Sequence, residues 1–85
     1  MPYEIEWLET AVDELAVILR SSRHLLVLLV DDSNRIDEVL AADPKGIGAL
    51  QPDLLLATQV GRLRVLYRVD EALHRVYIAS IELSI

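Results

Sequence analysis

Leu63-Arg64-Val65-Leu66-Tyr67-Arg68-Val69 alternates cleanly, with Leu63, Val65, Tyr67 and Val69 on one side and Arg64, Leu66 and Arg68 on the other. That is the period of a strand with one covered face. Gly61-Arg62 in front of it can form a two-residue turn with glycine where φ must be positive, so Leu54–Val60 is expected to be the strand before. Asp70-Glu71-Ala72-Leu73 behind it is a polar-led turn, and Arg75–Leu83, rich in Val, Tyr and Ile, is a last strand. Turns this short permit only neighbouring antiparallel pairing. The three strands should form an antiparallel meander.

Toward the N-terminus the pattern changes. Residues 3–7 (Tyr, Glu, Ile, Glu, Trp) alternate as a short half-buried strand. From Leu8 the apolar positions Leu8, Ala11, Val12, Leu15, Ile18 and Leu19 fall at three- and four-residue spacing, the stripe of an amphipathic helix. The Thr10 hydroxyl is expected to accept from the free N–H groups of its first turn, and Ser21-Ser22 marks its end. Arg23–Ala42 reads two ways. As a helix it puts Leu25, Leu28, Leu29, Ile36, Val39 and Leu40 on one face, with Asp32 awkwardly close to that face. The rival is a buried strand at Leu25–Val30 turned by Asp31-Asp32-Ser33-Asn34. Either ends at Asp43-Pro44, because the residue before proline is pushed out of the α region, and Lys45–Pro52 is a loop. Taking the helix, the order is strand, helix, helix, strand, strand, strand. This is an α+β domain with its helices on one face of the sheet and the first strand at the sheet edge.

The 85 residues suit a single domain, 1–85, with no linker, repeat or low-complexity stretch. A chain this short buries only roughly 60–65% of its unfolded surface, so it needs the apolar-rich composition it has (53% hydrophobic). There is no Cys, which leaves neither a disulfide framework nor a thiolate metal site. No signal-peptide pattern opens the sequence, and the longest apolar run, Leu25–Val30, is six residues against the roughly 20 that span a bilayer. A cytoplasmic protein that neither enters a membrane nor uses a cofactor is expected. The net charge of −6 is concentrated in residues 1–44, where ten acids face three arginines. Such a half repels a phosphate backbone, so strong direct nucleic-acid binding is disfavoured, although Arg62, Arg64, Arg68 and Arg75 on neighbouring strands are able to form a local patch.

The opening strand ending in Trp7, the helix end Leu40-Ala41-Ala42-Asp43-Pro44 and, above all, Arg64-Val65-Leu66-Tyr67-Arg68-Val69 followed by Asp70-Glu71 and Arg75–Ile81 resemble the RelE/ParE superfamily. Its members are toxins of type II toxin–antitoxin modules, also called plasmid stabilisation proteins of bacteria. The resemblance runs nearly the full length, with its specificity in the strand–turn–strand portion. It implies a RelE/ParE-like fold and a cognate antitoxin as partner. RelE-like members cut messenger RNA on the ribosome with two lysines, an arginine and a C-terminal tyrosine. They need a proton acceptor, charge stabilisation at phosphorus and a proton donor. Here the lysine positions fall at about Leu55 and Ala57, the C-terminal positions meet Ser84 or lie beyond Ile85, and Arg64 alone matches. One arginine supplies charge but no base. The resemblance therefore favours the ParE-like mode, binding DNA gyrase without chemistry, over ribosome-dependent cleavage, with a decayed member that only binds antitoxin as a third reading.

The remaining polar residues read more plainly. Tyr67 and Tyr77 suit core rings with a wet hydroxyl. His24 and His74 are lone surface histidines, and no metal site is expected. Gly46-Ile47-Gly48 lacks the flanking strand and helix of a phosphate loop. One feature resists: in a helical 23–42, Leu26, Val27 and Val30 point away from the apolar stripe, a cluster that small monomers seldom expose. The expected partner-binding residues are therefore Leu26, Val27 and Val30, with Arg62, Arg64 and Arg68 to pair with an antitoxin's acids. Arg64 is the sole catalytic candidate.

Overall fold

The computed structural model describes residues 1–84. Strand β1 (Glu4–Trp7) leads into helix α1 (Glu9–Ser21). A 3₁₀ turn at Arg23–Leu25 then opens directly into helix α2 (Leu26–Ala42). Strands β2 (Ala49–Leu50), β3 (Leu56–Val60), β4 (Leu63–Asp70) and β5 (Arg75–Leu83) complete a five-stranded sheet of order β1-β5-β4-β3-β2. β3, β4 and β5 pair antiparallel in sequence order, and β1 lies at the edge, parallel to β5. The parallel pairing follows from two intervening helices, which carry the chain back to the end of the sheet where it started.

The core lies between the helices and one sheet face. Leu29, Ile36 and Leu40 of α2 and Ala11 of α1 meet Leu63, Val65, Tyr67, Val76 and Ile78, all fully buried. Leu15, Ile18 and Leu19 pack half-buried against the same cluster. β1 is fixed to α2 by the Trp7 indole, whose Nε1–H donates to Asp37 Oδ1 at 2.7 Å.

Residues 25–30 are helical, as the reading that set the element order has them, and the rival strand is excluded. Several other local expectations fail, each for a visible reason. Val12 and Leu28, assigned to the inward stripes, are 48% and 43% exposed, because each helix buries a narrower face than its pattern offers. Thr10 does not cap α1. Its hydroxyl donates across to the Ala79 carbonyl at 3.0 Å, and Leu8 takes the cap position without a side-chain bond. The segment 45–52 is not all loop, since Ala49–Leu50 pairs antiparallel with Leu56–Ala57 as β2. This hairpin delays β3 to Leu56. Leu54 sits at φ 69, and Gln51 and Leu55 close the turn through a backbone bond of 2.8 Å. The Tyr67 hydroxyl is not wet: it donates to the Pro44 carbonyl inside the protein. Burial, with Asp43 nearby, pushes this phenol up to about 12.

Candidate functional site

The residues singled out for partner binding divide into three places. Leu26, Val27 and Val30 lie in the first turns of α2 and are exposed, Val27 by 74%. Because the chain passes from α1 through one 3₁₀ turn, this end of α2 begins at the surface, with nothing in sequence long enough to cover it. Leu28 adds to the same stretch.

The other side of α2 carries what pattern reasoning flagged as a conflict. Asp32 is only 5% exposed and stands between Leu29 and Ile36 in the buried stripe. Its Oδ2 accepts from the Arg62 backbone N–H at 3.0 Å and from the Arg62 guanidinium at 3.4 Å. Gly61, at φ 58, brings the β3–β4 turn so close that a Cβ there would lie 2.2 Å from the Asp32 carboxyl. Glycine is needed both for the turn and for the approach. Asp32 thus holds the hairpin onto the helix, and Arg62 is drawn toward α2, away from Arg64 and Arg68. The sequence did not single out Asp32 as a fastening residue. The signal was there in an aspartate at a buried helical position together with a Gly-Arg turn.

Arg64 and Arg68 lie on the sheet face that no helix covers. Arg64 donates to Gln51 Oε1 at 3.2 Å and sits 3.6 Å from Glu82. Arg68 lies over the Tyr77 ring at 5.0 Å, a cation–π contact. On the same sheet Arg75 contacts Glu4 at 2.7 Å and Glu6 at 3.2 Å, and its pKa is raised chiefly by the Glu4 bond. Of the four arginines that were to form a cationic patch, three face carboxylates. On the open face the charges of Arg64 and Arg75 are thereby matched, and Arg68 is the one of the four without a carboxylate partner among the described residues. At Arg64 the chemistry on offer is a charge already matched by Glu82, beside an amide that neither gives nor takes a proton.

A polar cluster at one end of the sheet went unanticipated. The Tyr3 hydroxyl donates to Glu71 at 2.9 Å, and Lys45 reaches the same carboxylate at 3.1 Å. These bonds, Lys45 first, hold Glu71 below the usual carboxylate range. His74 is no bare surface histidine. It occupies φ 52, its ring stacks on Tyr3 at 3.8 Å, and its Nε2–H donates to the Met1 carbonyl. Every group here is engaged in tying the N-terminus to the β4–β5 turn, which is a structural task. Among the described residues no group of three or more His, Asp or Glu is placed to hold a metal ion, and no helix is long and apolar enough to cross a membrane.

No protein-family model matches this chain, and neither does any curated protein. A solved structure does. The chain superposes with a TM-score of 0.74 on a chain of the toxin–antitoxin complex RelBE2 from Mycobacterium tuberculosis, at 23% identity, covering 98% of this chain and 99% of that one. The architecture is therefore the RelE-like α+β fold that the strand–turn–strand stretch implied.

Proposed function

We propose that this chain is the toxin-type component of a type II toxin–antitoxin module, acting in the cytoplasm through protein binding in the ParE manner and neutralised by a cognate antitoxin. The observation that carries the reading is the exposed aliphatic cluster of α2, Leu26, Val27 and Val30, on a fold shared with a chain of a toxin–antitoxin complex. Taking one such side chain fully out of water contributes roughly 1.5–3 kcal/mol. A partner covering the half-exposed cluster gains a part of that at each residue. A segment that folds on binding is the suitable ligand, because it covers much surface while remaining open to proteolysis when free. Arg64 and Arg68 stand on a different face and are reached by a partner that wraps; Arg64 must then exchange Glu82 for one of the partner's acids, while Arg68 lies over the Tyr77 ring. The target, gyrase or ribosome, is engaged as a protein surface.

The test is induced expression in a bacterium with and without the product of the adjacent gene. Growth arrest relieved by that product, with no cleavage of ribosome-bound message, is the expected result. Position-specific cleavage abolished by Arg64→Ala would replace the reading with a RelE-like nuclease. Complex formation without growth arrest would leave a member that has kept only antitoxin binding.

A further inference from the structure

β5 outruns its edge partner. β1 pairs with it only as far as Trp7 opposite Ile78, and β5 continues through residues 79–83 with α1 alongside instead of a strand. α1 supplies makeshift partners at first. Thr10 donates to the Ala79 carbonyl, and Glu14 Oε1 accepts from the Ile81 N–H at 3.3 Å while its Oε2 accepts from the Ser80 hydroxyl. The Ile81 N–H therefore points outward, away from β4. In an antiparallel ladder each residue sends its N–H and C=O to the same side and the sides alternate. The Ser84 N–H, donating inward to the Arg62 carbonyl at 2.8 Å, has the alternate phase. It follows that the Ile81 C=O and both backbone groups of Leu83 face outward. No strand among the described residues pairs with this side.

Beside that edge runs an open groove of about 460 Å³ between α1 and the end of β5. Val17, Ile18, Ile81 and Leu83 give it an apolar floor, and Asp13 and Glu14 stand on its helix side. Val17 is 50% exposed. An apolar groove bordered by free strand groups is the recognition geometry of strand addition, in which main-chain bonds set direction and alternate side chains fill the groove.

We infer that the outer side of β5 at Ile81–Leu83, with the groove beside α1, accepts an extended segment of a partner protein as an added strand whose side chains alternate between aliphatic and basic. The charge of the groove selects the occupant. A second copy of this chain related by a two-fold axis would set Asp13 and Glu14 against their own copies, in a molecule of net charge −6. A segment carrying Arg or Lys next to its aliphatics meets both demands. The inference rests on the toxin–antitoxin reading only for the identity of that partner. Peptide binding without toxicity would leave it standing and count against that reading alone.

The probe is a nine-residue peptide of alternating valine with two arginines, at near-physiological salt. Its controls are the same peptide with a central proline, which keeps the charge but cannot pair, and one with both arginines replaced by glutamate. Binding is followed by fluorescence anisotropy, and Leu83 amide exchange by nuclear magnetic resonance. The expected result is saturable binding, weakened at least about tenfold by either control and by Val17→Lys, with Leu83 amide exchange slowed at least about tenfold. If Val17→Lys does not fold, slowed Leu83 exchange in the unaltered protein decides. Absence of binding, equal binding of the proline peptide, or an unslowed Leu83 amide overturns the proposal. So does a concentration-dependent dimer dissolved by Val17→Lys, which would make a second copy the occupant.

Discussion

Along one side of α2, Leu29, Asp32, Ile36 and Leu40 are buried against the sheet, so a carboxylate stands among three aliphatics; along the other, Leu26, Val27 and Val30 face solvent. The first departure from hydrophobic patterning is accounted for within the chain, because the Gly61-Arg62 turn brings an N–H and a guanidinium to Asp32. No such account exists within the described residues for the second. A buried polar group must be satisfied by the fold itself, whereas exposed aliphatics tolerated in a small domain point to something that covers them.

The largest effect expected on the buried side is from Leu29→Ala, which opens a cavity at a fully buried position and should cost about 2–5 kcal/mol in denaturant unfolding. A loss below about 1 kcal/mol would mean that this side of α2 is not the core. Next, Asp32→Ala should cost about 1–3 kcal/mol, since it strands the Arg62 N–H. In a double-mutant cycle with Arg62→Ala the two losses should fall short of additivity by at least about 0.5 kcal/mol. Because Arg62→Ala keeps the backbone N–H, additive losses would show that this N–H, and not the guanidinium, accommodates the buried carboxylate. On the solvent side, the paired change Val27→Asp and Val30→Asp should alter stability by no more than about 0.5 kcal/mol per site, as for surface positions generally.

Titration sharpens the same contrast between inside and outside. The buried Tyr67 phenol has its pKa raised to about 12, so the stability it confers is whole below its ordinary value of 10.0 and is lost as pH climbs through about 12. Absorbance titration should show one of the three tyrosines ionising only with alkaline unfolding. At exposed Glu71 the shift is downward, so its contribution is present above the ordinary carboxylate value and fades as pH falls through the lowered one. Glu71→Gln should therefore matter little in acid and more at neutral pH. A pH-independent difference would show that the Tyr3 and Lys45 bonds do not set it.

The meander was legible because its evidence is local. Gly61-Arg62 and Asp70–Leu73 are short turns between runs of clean alternation, and β4 and β5 form where that pattern put them. Helix α2 was legible only as one of two readings, since Leu25–Val30 carries six aliphatics in a row and shows neither period. β2 left no trace, because a two-residue strand with both side chains exposed has no pattern to display. The cross-chain fastenings, Asp32 to Arg62, Thr10 to Ala79 and Glu14 to Ile81, join residues 30 to 69 apart, so spacing could not announce them. Of the candidate site, Leu26, Val27 and Val30 were named by elimination from the helical stripe, and they are exposed. Arg62, Arg64 and Arg68 looked alike in sequence and differ in structure, because one of them belongs to a turn that α2 captures.

The central claim is that the exposed end of α2 receives the antitoxin, and calorimetric titration of the adjacent gene's product into the unaltered protein and into the Val27→Asp, Val30→Asp variant tests it most directly. With a thermal midpoint within a few degrees of the unaltered protein's, the variant should bind at least about a hundredfold more weakly, as expected for hot-spot residues that together contribute more than 2 kcal/mol. Undiminished affinity in a folded variant would place the interface elsewhere, and a variant that fails to fold would return both valines to the core.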